Sequence, residues 1–233
     1  MKCRFLTGFV ALVLITGLLS FLPFQVYQDG QTALAQDEDS NAEAIELPMP
    51  RFDSQLSVEK ALLNRRSIRT YKDEPLTLAD VSQILWAAQG ITDSTSGKRT
   101  APSARASYFL ELYLISGKVT DLSPGMYKYQ PVGHKLVVMA KGDTKAKLFG
   151  AAGQVPIKNA PVVLLIAGDS ERSRKPEWMY LEAGHAAQNV YLQAVSLNLG
   201  TVVMAGFEPD KVREALKIPE EQLPIYVMPI GRK

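Results

Sequence analysis

The chain has a single cysteine, Cys3. It stands in an N-terminal segment without the small-residue box of a lipoprotein. The rest of the chain therefore has no disulfide, no cysteine nucleophile and no thiolate metal site. Histidine is almost as scarce. His134 and His185 are the only two, and their wide separation argues against a histidine-built metal site. No charge of one sign dominates either. The formal net charge of +2 gives no support to nucleic-acid binding, which needs a strongly basic face. A G-x-S-x-G elbow, a P-loop and a G-x-G-x-x-G turn are all missing.

One long uncharged run is present, and it lies at the start. Lys2 and Arg4 precede "FLTGFVALVLITGLLSFLPF", and Ala33 and Ala35 follow in an A-x-A arrangement. This pattern reads as a secretory signal peptide over residues 1–35, placing the folded part in the periplasm or outside the cell. The alternative is an uncleaved anchor formed by residues 5–24, since the run is long enough to span a bilayer. In that case the membrane is met only through this segment. Residues 36–54, acidic and then proline-bearing, read as a flexible linker. Residues 55–233 read as one domain.

Within that domain, helices and strands alternate without a strict βαβ rhythm, so the expected class is α+β. Val58, Ala61 and Leu62 predict a short helix over 58–64. Thr77 and Asp80 form a capping box ahead of Val81, Ile84, Leu85 and Ala88, with Gly90 as the stop. The stretch 91–107 reads as a polar loop, and "YFLELYLIS" as a half-buried strand. "GMYKYQPVGHKLVVMAKG" reads as two strands about a Pro-Val-Gly turn, and "DTKAKLFGAAG" as a short helix. "PVVLLIAGD" predicts a central strand buried on both faces. "EWMYLEAGHAAQNVYLQAVSLNLG" is apolar nearly all round, which predicts a core helix closed by Gly200. Its Gly184, Ala186 and Ala187 would admit a neighbouring backbone. "TVVMAGF" reads as a strand, "DKVREALKI" as a helix and "LPIYVMPIGRK" as a last strand.

The chemistry concentrates in "RRSIRTY". Arg65, Arg66 and Arg69 stand around Ser67 at the end of the first helix. Guanidinium forks bind phosphate oxygens through parallel hydrogen bonds, and the serine adds a donor. A solvated basic turn is the alternative. "APSARASYFLE" is a small-residue loop entering a strand, and "VVMAGF" is a strand running into a small-residue bend. Both would let backbone N–H groups approach a flat ligand. Arg232 and Lys233 end the chain as a second basic pair. A phosphate, a flat ring and few catalytic side chains suggest flavin mononucleotide (FMN) as the carrier of the chemistry. His185 reads as a core histidine bonded to backbone, and Trp86 and Trp178 as core or dimer contacts.

"RRSIRTY", "APSARASYFLELYLIS", "GMYKY", "AAGQ", "LEAGHAAQNVYLQAVSLNLGTVVMAGF" and "LPIYVMPIG", in that order, resemble the nitroreductase superfamily. The likeness is greatest to its SagB-type (thiazoline/oxazoline dehydrogenase-like) branch, and it covers residues 62–233. It implies a central mixed or antiparallel sheet flanked by helices, an intertwined homodimer, and FMN working by ping-pong two-electron transfer through N5. It places the FMN phosphate and ribityl chain on Arg65, Arg66, Ser67 and Arg69, with Arg232 returning to the phosphate. Pro102, Ser103 and Ala104 would approach the ring from the partner subunit, and Met204, Ala205 and Gly206 would supply backbone donors beside it. Gln154 is a further candidate. Two departures stand out. Arg105 occupies the place of a common glycine, where its guanidinium could lie over or beside the flavin and so joins the cofactor-binding candidates, and the Lys-Tyr pair of azoline dehydrogenases has only loose counterparts in Lys175 and Tyr180. Arg105, Lys175 and Tyr180 are therefore the catalytic candidates. The substrate and electron donor stay open. A non-catalytic module on the same fold, holding flavin or another phosphorylated ligand, is the alternative function.

Overall fold

The computed structural model describes residues 43–233. The expected signal peptide or anchor, and residues 36–42 of the expected linker, lie outside them. A seven-stranded sheet forms the centre, in the order β1-β6-β5-β4-β7-β9-β8. Its strands are β1 (Ala44–Glu46), β4 (Leu110–Ser116), β5 (Gly125–Gln130), β6 (Lys135–Lys141), β7 (Val162–Asp169), β8 (Leu199–Thr201) and β9 (Gln222–Arg232). Every pairing between them is antiparallel.

Alternation within the central strands divides the core in two. Leu110, Leu112 and Leu114 of β4, with Val162, Leu164 and Ile166 of β7, enter one layer. Tyr113, Ile115, Val163, Leu165 and Ala167 enter the other. β4 was expected to be half buried. It is buried along both faces, Glu111 alone being partly open, because helices cover both sides of the sheet.

The first layer is closed by α2 (Leu78–Gln89) and α5 (Pro176–Ser196). The second is closed by α3 (Thr144–Ala152), α4 (Val155–Asn159) and α6 (Pro209–Leu216). The remaining helix, α1 (Val58–Asn64), leads into the arginine cluster. The Thr77–Asp80 capping box is present at the start of α2.

Five further expectations need correction. The presumed flexible linker contains β1, which pairs with the β6 edge, and Leu47 beyond it is buried. Backbone bonding to an edge strand leaves no trace in composition. The stretch 91–107 holds a two-strand ladder, β2 (Ile91–Asp93) with β3 (Lys98–Arg99), then a 3-10 turn over Ala104–Ala106. Helix α5 buries only one face. Tyr180 and Leu181 on the other are 49% and 61% exposed, and a Cβ on Gly184 would meet nothing. Gly200 lies in β8 instead of capping α5, and a Cβ there would stand 2.6 Å from Ile68 Cγ2. Beyond β8, the stretch expected as a strand makes one isolated bridge, Met204 with Val227.

Candidate functional site

The arginine cluster is built by the end of α1 and the edge of β8. Ser57 caps α1 by accepting from Lys60 N, and Arg65 N closes it on Ala61 O at 2.9 Å. The chain then runs beside β8. Ser67 bridges Thr201, and Ile68 N donates to Thr201 O at 2.9 Å. Gly200 makes room for the Ile68 side chain. The Tyr71 hydroxyl lies 2.8 Å from Ile68 O and 3.1 Å from Pro229 O. Burial pushes its pKa up, so it remains a neutral donor.

Tyr191 of α5 organises this cluster. Its ring lies under the Arg65 guanidinium, 5.1 Å from ring centre to Cζ. Its hydroxyl is 3.1 Å from Ser67 Oγ and accepts from Val203 N at 2.8 Å. The Arg66 head folds back onto the Leu63 and Arg65 carbonyls at 2.9 and 2.7 Å. Arg66, Ser67 and Arg69 are exposed, and Arg65 is half-buried. None of these three arginines has a carboxylate partner among the described residues.

The backbone continues from Val203 to the bend at Ala205 and Gly206. There Gln154 Nε2 donates to Gly206 O at 2.9 Å. Met204 is fixed by paired backbone bonds to Val227, both 2.9 Å. The fork, Tyr191, the 203–206 bend and Gln154 thus form one connected surface. Arg232 does not join it. Its guanidinium pairs with Asp80 at 2.6 Å, at the start of α2.

The Pro102–Arg105 loop is held elsewhere along α5. Glu182, 1% exposed, accepts from Ser103 Oγ at 2.6 Å, Gln89 Nε2 at 3.0 Å and Phe109 N at 3.2 Å. It therefore clamps both ends of the turn between Ser103 and Phe109. His185 Nδ1 lies 3.0 Å from Pro102 O. It is bonded to backbone as expected, but it is exposed instead of lying in the core. Arg99 stacks on Tyr108 at 4.6 Å and donates to Gln89 Oε1 at 3.1 Å. Burial lowers its pKa, against support from Glu182.

This turn is strained. Arg105, Ala106 and Tyr108 have φ of 60°, 54° and 48°, a region that disfavours residues with a Cβ. The Arg105 side chain is exposed and has no carboxylate partner among the described residues.

Lys175 and Tyr180 do not meet the fork. They flank the first turn of α5, where Lys175 Nζ sits 5.9 Å from the Trp178 ring and Trp178 stacks on Phe109. Tyr180 is about 16 Å along the helix axis from Tyr191, at 1.5 Å per residue. The same rise puts Glu182 about 13 Å from Tyr191.

Sequence reasoning missed Tyr191, Glu182 and Arg99. Glu182 did leave a signal. It falls on the stripe of Met179, Ala183, Ala186 and Val190, where a carboxylate must find buried partners.

The surface is a binding set of guanidinium, hydroxyl, amide and backbone groups on an antiparallel sheet between helical layers. A model described as the Nitroreductase family matches residues 62–232, and the chain belongs to that family. A Methanocaldococcus jannaschii protein described as a nitroreductase is 40% identical over 198 residues, which is 82% of this chain and 98% of that protein. A solved Ralstonia eutropha structure, also described as a nitroreductase, superposes with a TM-score of 0.72 at 29% identity, covering 84% of this chain and 91% of its own. The FMN reductase (NADPH) of Bacillus subtilis is 27% identical over 182 residues, covering 74% of this chain and 64% of that protein.

Proposed function

We propose that this protein is an FMN-dependent oxidoreductase with its flavin phosphate on Arg65, Arg66, Ser67 and Arg69. The observation that carries this reading is a run of three arginines without carboxylate partners among the described residues, with Arg65 and Ser67 held by Tyr191, whose hydroxyl also joins them to the 203–206 bend. Three cations held close together repel one another, and a dianionic phosphate removes that repulsion. FMN, when bound, supplies two-electron chemistry at its N5 in a ping-pong cycle. The protein groups bind and orient it. Tyr191 holds Ser67 and Val203 in fixed relation, while Gln154 braces the bend at Gly206. A flat ring lying along Met204, Ala205 and Gly206 would meet backbone instead of bulky side chains.

The strained Pro102–Arg105 loop and the fork are held by different parts of α5. A homodimer that brings one protomer's loop to its partner's fork would unite them. The exposed apolar groups on α5 and α1, Tyr180, Leu181, Leu62 and Leu63, suit such an interface. Kinship to the SagB-type branch rests on the sequence motifs. Arg105 and the scattered Lys175 and Tyr180 set this chain apart from its azoline dehydrogenases. An exported location, by cleaved signal or by anchor, rests on the N-terminal pattern.

The second reading is a non-catalytic flavin or phosphate-ligand carrier, favoured by Arg105 on its clamped turn. Anaerobic titration of the FMN-loaded protein with NADH, NADPH and dithionite separates the two. Bleaching of the flavin band by a nicotinamide, with recovery on adding a quinone or nitroaromatic, supports the enzyme. Bleaching by dithionite alone, without recovery through any acceptor, supports the carrier.

A further inference from the structure

A second concentration of positive charge follows the arginine fork, sharing Tyr71 with it. Lys72, Lys118, Lys145 and Lys158 line one cleft of about 470 Å³ beside Tyr71 and the Asn159–Pro161 turn. They come from four separate segments: the stretch after the fork, the turn after β4, helix α3 and helix α4. Convergence from four segments is tertiary placement and not a local run of basic residues. Asp73 and Glu74 are the acidic groups on the lining, leaving a local excess of two positive charges.

The cleft is rigid where it matters. Gly117 N and Lys118 N both donate to Pro161 O at 2.9 Å, tying two walls together. Lys145 Nζ donates to Ala160 O at 2.8 Å. A Cβ on Gly117 would stand 2.9 Å from that amine, so the glycine clears the space the ammonium occupies. Lys145 has its pKa lowered by burial and by repulsion from Lys118, partly offset by Asp143 and Asp73. Lys118 pairs with Asp73 at 2.5 Å. The Lys72 and Lys158 side chains are exposed at the rim, with Lys158 Nζ 6.0 Å from the Phe149 ring.

We propose that this cleft is an anion site for a diphosphate group. Ammonium heads are compact, rotatable donors suited to clustered phosphate oxygens, and the volume lies in the range of small-molecule sites. The diphosphate can be free or part of a nucleotide. The site stands whether or not the arginine fork holds flavin.

Calorimetric titration of the full chain with inorganic pyrophosphate, and separately with ADP, tests it. The expected result is binding that weakens steeply with added salt and falls at least tenfold in a Lys72→Met, Lys158→Met double variant. Methionine keeps much of the apolar stem at two exposed positions, so the fold is retained. Tighter binding of ADP identifies a nucleotide site, and equal binding identifies the diphosphate alone. The companion Arg66→Ala, Arg69→Ala variant should keep the lysine-dependent component of pyrophosphate binding, any component it loses being that of the fork. Failure of both ligands to bind, or binding that survives loss of the lysines and disappears with the arginines, overturns the proposal. FMN binding is lost in the arginine variant alone, so failure of the flavin assignment is read separately.

Discussion

Acid should loosen this protein through His134. The imidazole is 4% exposed, packed where the start of β6 and Ser82 of α2 meet Leu47 and Pro48 beyond β1. Its Nε2 lies 2.7 Å from Ser82 Oγ, and its Nδ1 lies 2.8 Å from the Tyr129 hydroxyl. Ser82 donates its only hydrogen to the Pro48 carbonyl, so Nε2 must carry the imidazole proton and Nδ1 must accept from Tyr129. A second proton would meet the donating Tyr129 hydroxyl. Burial lowers the pKa from 6.5 to about 4, slightly opposed by the Pro48 carbonyl. Between those values the unfolded chain takes up a proton that the folded chain refuses. Stability from this residue is therefore fully present above pH 6.5 and is lost as the pH falls towards 4. At 1.36 kcal/mol per unit, the loss is about 3 kcal/mol. Urea unfolding at several pH values in that window, compared with His134→Gln, isolates the contribution. Carboxylates contribute the same slope to both proteins, so the wild type should lose about 3 kcal/mol more than the variant. Equal pH dependence in the two, or an NMR titration giving His134 an ordinary pKa, would refute the reasoning. With two histidines in the chain, the imidazole signals are readily assigned.

Three substitutions test other parts of the account. Arg105→Gly relieves one left-handed residue and should raise stability by about 1 kcal/mol, seen as a higher urea midpoint; an unchanged or lower midpoint would mean the turn is not strained there. Tyr191→Phe removes the acceptor for Val203 N and the partner of Ser67, and should weaken FMN binding about five- to 150-fold by fluorescence titration, from the 1–3 kcal/mol cost of leaving that part-buried donor without its acceptor. Unaltered affinity would remove Tyr191 from the site. Gly200→Ala drives a Cβ to 2.6 Å from Ile68 Cγ2 and should destabilise by about 1–3 kcal/mol, with the arginine cluster displaced because Ile68 lies within it.

Local rules carried the sequence reading furthest. The Thr77–Asp80 box, the aliphatic run of β7 and the Asp143-to-Gly153 limits of α3 are contained within a few residues of each other. Capping and alternation act at that range. What failed depended on distant partners. Residues 44–46 look like linker until the β6 edge is supplied. The outer face of α5 looks like core because apolar pattern alone does not say how many neighbours cover it. The sequence gives no sign of the Arg232–Asp80 pair because the two are 152 positions apart. The arginine fork was legible because donor chemistry is written in residue types. Its organiser, Tyr191, was not, since a tyrosine on a helix gives no sign of which hydroxyl bonds it makes.

The central claim is that Arg65, Arg66, Ser67 and Arg69 hold the phosphate of FMN. Titrating the flavin-free protein with FMN and with riboflavin, which share the ring and differ by the phosphate, tests it most directly. The account predicts that FMN binds at least a hundredfold more tightly, as about 3 kcal/mol of charge-assisted bonding requires, and that an Arg65→Ala, Arg69→Ala variant loses most of that preference. Equal affinity for the two flavins, or no binding of either by the folded protein, would contradict it.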